Sequence, residues 1–255
     1  MIDTHCHLYA EELSDDIDEV LSRAQEVGVE EIWLPNIDEH SLDKLLAVSD
    51  RHPKKFRPML GLHPCYVKQE GFKEQLDLIY SSIQKVKPIA IGEIGLDLYW
   101  DKSTLAPQKE ALQRQYEWAK DLKLPVILHS REAFDETLQV ALQFPTVPGI
   151  FHCFTGSTDE AKKAIDAGYL LGIGGVLTYK NSSLKEVLKQ IDIKYLVLET
   201  DAPYLSPVPF RGKRNEPSYL YYIATQLAEV KGLSLEEVAH LTSKNAHQLI
   251  SGNGV

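Results

Sequence analysis

Short apolar runs rich in β-branched residues recur along the chain, separated by longer stretches with helical spacing. The runs fall at 1–5, 31–35, 57–62, 89–94, 125–129, 149–153, 170–175 and 195–200. Their hydrophobicity is nearly continuous, as in parallel strands covered on both faces. Between them, apolar positions recur at three- and four-residue intervals over 15–27, 41–51, 73–86, 107–122, 131–144, 158–167, 183–191 and 217–230. That period predicts helices alternating with the strands. Boundary signals agree: Ser157-Thr158-Asp159-Glu160 is cap-like, Pro107 suits a first helical residue, and Gly28 and Gly168 suit helix ends. A last helix, about 234–250, opens with Ser234 and Glu237 in capping-box spacing. The expected fold is therefore α/β, a closed (β/α)8 TIM-type barrel forming one domain over 1–255, with the extra C-terminal helix packed outside.

The polar exceptions to this pattern carry the chemistry. His5 and His7 lie two apart at the end of the first run, so on a strand they share a face. Glu93 ends the fourth run, His129 the fifth, His152 the sixth, and Asp201 follows the eighth. A carboxylate inside Ile89-Ala-Ile-Gly-Glu93-Ile would be buried at high cost without a cation. Six such side chains at strand ends meet in one pocket if the sheet closes. In an open doubly wound sheet only strands beside the switch point reach one crevice. Four imidazoles and two carboxylates exceed the needs of one four-coordinate ion with an open position. They suit two divalent ions sharing a carboxylate, and mixed N/O ligation admits Zn, Mn, Co or Fe, with Mg reachable through carboxylates and water. A water activated there would be the nucleophile, with Asp201 as its proton acceptor and Glu93 as the second catalytic carboxylate.

Composition narrows the class. The 255 residues carry a formal net charge of −10, which argues against tight nonspecific grip on duplex DNA, although bound cations would reverse the local charge where a phosphate docks. The three cysteines make no disulfide framework. Alternation turns Cys6 and Cys153 away from the histidines, as packing residues, and leaves Cys65 undetermined. No leader pattern and no membrane-length apolar run is present, so a cytoplasmic enzyme without membrane contact is expected. No motif speaks to oligomeric state.

Further residues near strand ends could hold substrate. His63 precedes Pro64 after the third run and suits a phosphate hydrogen bond. Arg131 could bind phosphate bidentately. Arg211, Lys213 and Arg214 form the one compact basic cluster, in the proline-rich stretch 201–217 after the eighth run. Tyr99, Trp100, Tyr204 and Phe210 could stack bases, and Glu199 could orient a ligand.

Seven segments together resemble the TatD-type metal-dependent hydrolases, described as deoxyribonucleases, of the amidohydrolase-like barrel group. They are Ile2-Asp-Thr-His-Cys-His7, Gly61-Leu-His-Pro64, Gly92-Glu-Ile-Gly-Leu-Asp97, His129-Ser-Arg-Glu132, His152-Cys-Phe-Thr-Gly156, Glu199-Thr-Asp-Ala-Pro203 and Arg211-Gly-Lys-Arg-Asn-Glu-Pro217. The ordered set is specific although no member is diagnostic alone. The resemblance implies that His5, His7, Glu93 and Asp201 hold one ion, that Glu93, His129 and His152 hold the other, and that DNA phosphodiesters are cleaved from an end with Mg²⁺ stimulation. Some relatives are reported to act on other phosphoesters or on aminoacyl-tRNA. The expected partner is thus DNA or another phosphodiester. Metal-dependent hydrolysis of a small amide or ester, or of aminoacyl-tRNA, is the first alternative, and a non-catalytic metal or nucleic-acid binding module the second.

Overall fold

The computed structural model describes residues 1–252; the last three residues of the expected domain lie outside that range. Eight parallel strands follow one another in sequence order around the sheet: β1 (Ile2–Asp3), β2 (Glu31–Pro35), β3 (Phe56–Leu60), β4 (Ala90–Asp97), β5 (Val126–Arg131), β6 (Gly149–Phe151), β7 (Tyr169–Ile173) and β8 (Leu196–Leu198). Closure between first and last runs through Thr4 N–H to Leu198 O (3.0 Å), Asp201 N–H to His5 O (2.8 Å) and a parallel bridge of Cys6 with Ala202. Buried Asp3 reinforces that seam by accepting from the Thr200 N–H and hydroxyl, at 2.9 and 2.6 Å. The (β/α)8 expectation holds.

The helices are α1 (Glu11–Ser14), α2 (Ile17–Glu26), α3 (Glu39–Arg51), α4 (Phe72–Val86), α5 (Leu105–Leu122), α6 (Phe134–Ala141), α7 (Thr158–Asp166), α8 (Leu184–Leu188), α9 (Leu220–Lys231) and α10 (Leu235–Ile250). Ser157 and Ser234 form the expected capping boxes with Glu160 and Glu237. Gly28 and Gly168 take φ of +82° and +88° just past α2 and α7, a conformation that costs glycine nothing. Among the described residues no helix is long and apolar enough to cross a membrane.

Two apolar layers hold the barrel together. Between sheet and helices lies the larger one, including Leu34, Leu60, Leu128 and Phe151 from the strands and Leu76, Leu112 and Leu227 from the helices. Inside the barrel sits a floor with one residue from every strand: Ile2, Trp33, Met59, Ala90, Ile127, Ile150, Leu170 and Val197. Ala246 and Leu249 of α10 pack against this floor, so the last helix plugs the bottom of the barrel instead of only lying outside it. Asn245 fixes the plug by donating to the carbonyls of Ile193 and Leu196, at 2.9 and 2.8 Å.

Several boundaries differ from the sequence reading. Apolar runs mark burial, whereas strands end where ladder bonding ends. β1 is two residues long and the chain bends at Thr4. β4 continues beyond its apolar run to Asp97, so Glu93 lies inside the strand and not at its end. The stretch 183–191 forms only the short α8, and Pro107 is the third helical residue of α5, not the first.

Candidate metal centre

From the floor upward, each strand offers its next inward position two residues later. Ile127 is followed by His129 and Val197 by Glu199 and then Asp201, while Ile150 is followed by His152 and Met59 by Gly61 and then His63. β4 reaches the same level by a bulge: Ile91 pairs with Val126 and Ile94 with Leu128, so Gly92 and Glu93 together oppose Ile127. The extra residue turns the Glu93 carboxylate into the barrel, as bulges beside functional sites commonly do.

The two oxygens of Glu93 face different histidines. Its Oε2 lies 3.2 Å from His5 Nε2 and 3.8 Å from His7 Nε2. Its Oε1 lies 2.9 Å from His152 Nε2, 3.0 Å from His129 Nδ1 and 3.3 Å from His63 Nε2. Asp201 Oδ1 is 3.5 and 3.7 Å from Nε2 of His7 and His5. All six expected ligands therefore converge, and the His5 and His152 rings stack at 3.9 Å. Three groups of donors lie close enough to hold a metal ion: His5, His7 and Glu93; His5, His152 and Asp201; and His63, Glu93 and His129.

His63 sits inside the donor cluster rather than beside it. Its Nδ1 accepts the Cys65 N–H at 3.1 Å, so the neutral ring carries its proton on Nε2 and offers a donor to the pocket.

The imidazoles are backed unequally. His129 Nε2 meets Asp97 Oδ2 at 2.9 Å, and His152 Nδ1 lies 3.5 Å from Glu199 Oε1, an ion-pair distance without a formal hydrogen bond. His7 Nδ1 meets the Tyr9 hydroxyl at 3.0 Å, and His5 Nδ1 has no hydrogen-bond partner among the described residues. Glu199 occupies space that β7 leaves empty: a Cβ on Gly172 would come 2.2 Å from Glu199 Oε2. Asp97 and Tyr9 had no role assigned from sequence. A second carboxylate following Glu93 in Gly92-Glu-Ile-Gly-Leu-Asp97 was the available signal for Asp97; nothing local marked Tyr9.

Electrostatics fit a cationic occupant. Burial would raise the Glu93 and Asp201 acids, but the surrounding imidazoles hold Glu93 well below, and Asp201 below, the usual carboxylate range. Burial depresses His5 and His63. His129 and His152 go the other way: burial opposes their charge, yet Asp97 and Glu93 raise the first, and Glu93 and Glu199 raise the second. Imidazole nitrogens aimed at ionised carboxylates are the donor set that divalent N/O-ligated ions require.

This cluster floors a cavity of about 730 Å³, lined also by Cys65, Tyr66, Trp100, Arg131, Cys153, Tyr204 and Leu205. Cys6 is fully buried as expected, but Cys153 takes φ of +47° and joins the cavity wall, so the alternation argument fails where the strand has already ended. Arg131 lies at the wall, 3.7 Å over the Tyr99 ring. The basic cluster does not gather there. Arg214 is bound to Asp16 at 2.6 and 2.8 Å, Arg211 lies 4.5 Å over the Tyr179 ring, and Lys213 is exposed, none of them lining the cavity. Phe210 stacks on Tyr219 at 4.1 Å and is likewise outside the cavity.

Comparison with known proteins gives one consistent picture. Residues 2–251 match the model of the TatD related DNase family. The chain is 39% identical over 256 residues to the uncharacterised metal-dependent hydrolase YabD of Bacillus subtilis, covering 99% of this chain and 100% of that protein. It is 33% identical over 262 residues to the human deoxyribonuclease TATDN3, covering 98% and 94%. The crystal structure of YjjV, a TatD homologue from Escherichia coli K12, superposes with a TM-score of 0.92 at 31% identity, covering 98% of this chain and 97% of that one.

Proposed function

The chain belongs to the TatD-related DNase family of metal-dependent hydrolases, and from that premise we propose that it hydrolyses DNA phosphodiester bonds at an end or in a single strand, using two divalent ions. The observation that carries the reading is the Glu93 carboxylate, whose two oxygens face opposite sets of histidines. His5, His7 and Asp201 would hold one ion with Glu93 Oε2, and His129 and His152 the other with Oε1. Bound ions would supply Lewis acidity and lower the pKa of a coordinated water.

The protein groups then have distinct tasks. Asp201, ionised and at the cavity surface, accepts the proton of the attacking water and holds it away from the phosphorus centre. Glu93 keeps the two halves of the site at fixed separation. His63 Nε2–H, which faces Glu93 Oε1 at 3.3 Å, would turn to a phosphate oxygen when substrate enters. Arg131 supplies the matching positive charge at the wall. The family name and the deoxyribonuclease TATDN3 support DNA as substrate.

Digestion of end-labelled DNA with Mg²⁺ or Mn²⁺ tests this. The account expects shortened labelled products with the parent protein and almost none with Asp201→Asn; equal rates for the two would reject it. A second reading, hydrolysis of a small amide or ester or of aminoacyl-tRNA, draws support from one feature: among the described residues lining the cavity, Arg131 is the sole lysine or arginine. If Arg131→Ala and His63→Ala leave phosphodiester turnover unchanged, that reading takes precedence.

A further inference from the structure

Resting on the phosphodiester reading, we propose that the Tyr99–Trp100 turn and Arg131 form a nucleotide subsite that takes one unpaired base at the end of a single strand. The chain has three tryptophans. Trp33 and Trp118 are 0% and 6% exposed, whereas Trp100 is 70% exposed at the mouth of the metal cavity. Its ring meets Tyr99 edge to face, with centroids 5.0 Å apart at 87°. The Arg131 guanidinium lies 3.7 Å over Tyr99 and 5.6 Å from Trp100, and makes no ion pair among the described residues. An indole face left in water beside an unpaired guanidinium offers a π surface to a base and a charge to its phosphate.

The turn is built into the metal centre rather than hung beside it. Buried Asp97 accepts the N–H groups of Tyr99 and Trp100 on Oδ1, at 3.0 and 3.2 Å, and meets His129 Nε2 with Oδ2 at 2.9 Å. The Leu98 N–H adds a bond to the Arg131 carbonyl at 3.0 Å. One carboxylate thereby sets the position of a candidate metal ligand and of the aromatic turn together.

The chemistry selects the occupant. A base inside a duplex is stacked on both faces and has none to give Trp100. A blunt end exposes one face, but its partner strand would bring further phosphates to a cavity whose described lining offers one guanidinium, that of Arg131. A single-stranded end brings one base and one phosphate, matching one indole and one guanidinium.

Fluorescence isolates this contact because Trp100 is the exposed tryptophan. The full-length protein with Mg²⁺ is titrated with a short phosphorothioate single strand, which resists cleavage, and with the blunt duplex of the same sequence. Saturable quenching by the single strand, weaker with the duplex and absent in Trp100→Phe, is expected. In steady state Trp100→Ala should raise KM for a single strand roughly 5- to 150-fold with kcat unchanged, the range of one base–aromatic stack. That penalty should vanish when the terminal base is replaced by an abasic sugar, and Trp100→Phe should restore part of the loss. No quenching, or equal quenching by duplex, overturns the subsite, as does an abasic penalty that persists in Trp100→Ala. Labelled product without quenching removes the subsite and keeps the nuclease; quenching without any product does the reverse.

Discussion

The floor and the rim of this barrel use the same inward faces of largely the same strands, two or four residues apart, for opposite purposes. The floor takes one apolar side chain from each strand and is sealed by α10. The rim takes His129 and His152 from the next inward positions and His63 and Asp201 from the ones after, with Glu93 delivered by the β4 bulge. The floor gains by excluding water. The rim buries carboxylates and imidazoles that hold one another's charged forms and stand where a divalent cation would bind. Chemistry and stability are therefore separated along the barrel axis, as in barrels whose active sites lie at the C-terminal ends of the strands.

The comparison is broken most strongly by Asp201→Asn. Turnover should fall about 10²- to 10⁴-fold, the range for loss of a positioned proton acceptor, while the melting temperature in chelator should move by no more than a few degrees, because His5 and His7 keep Glu93 as a partner. A comparable drop in melting temperature would mean that the rim is structural. The converse change is Met59→Ala in the floor, expected to cost about 2–5 kcal/mol of stability. Specific activity of the folded protein, assayed well below its transition, should stay at the parent level; loss in step with stability would join the two layers.

A divalent ion sharpens the contrast without mutation. At about 100 times its dissociation constant it adds roughly 2.7 kcal/mol, or about 5–10 °C in a barrel of this size. Thermal scans with and without chelator should show that shift in the parent and in Met59→Ala, but not in Glu93→Gln. Smaller again is Glu199→Gln, which leaves the floor intact and removes the charge behind His152. Calorimetric titration should show metal affinity weakened about 10- to 100-fold; unchanged affinity would reduce Glu199 to a space filler beside Gly172.

The least effect belongs to the surface clasp joining α2 to the loop after β8. Arg214 and Arg23 hold the Asp16 acid at about 2, below its ordinary value. A depressed carboxylate stabilises the fold above its unfolded pKa and loses that contribution as pH falls through the folded one. Acid unfolding between about pH 4 and 2 should therefore flatten slightly in Asp16→Asn, and less at high salt because the pair is solvated. An identical acid limb in both proteins would remove the clasp from the account.

Sequence made the strands, the closed barrel and the six converging donors legible, because a polar residue at the end of an apolar run is conspicuous and strand order fixes where it lands. It did not reveal how Glu93 reaches the pocket, since a bulge leaves no trace in hydrophobicity. Asp97 stayed hidden because β4 outlasts its apolar run. Arg214 looked free because its partner Asp16 lies 198 residues away. Cys153 was assigned by alternation, which stops applying once the backbone turns to positive φ.

The central claim is that Glu93 divides the rim into two ion-holding halves. Anomalous diffraction from a crystal soaked in Mn²⁺ tests it most directly. The account predicts two peaks, one on each side of the carboxylate, against Oε2 with His5, His7 and Asp201 and against Oε1 with His129 and His152. A single peak, or none within bonding distance of Glu93, would contradict it.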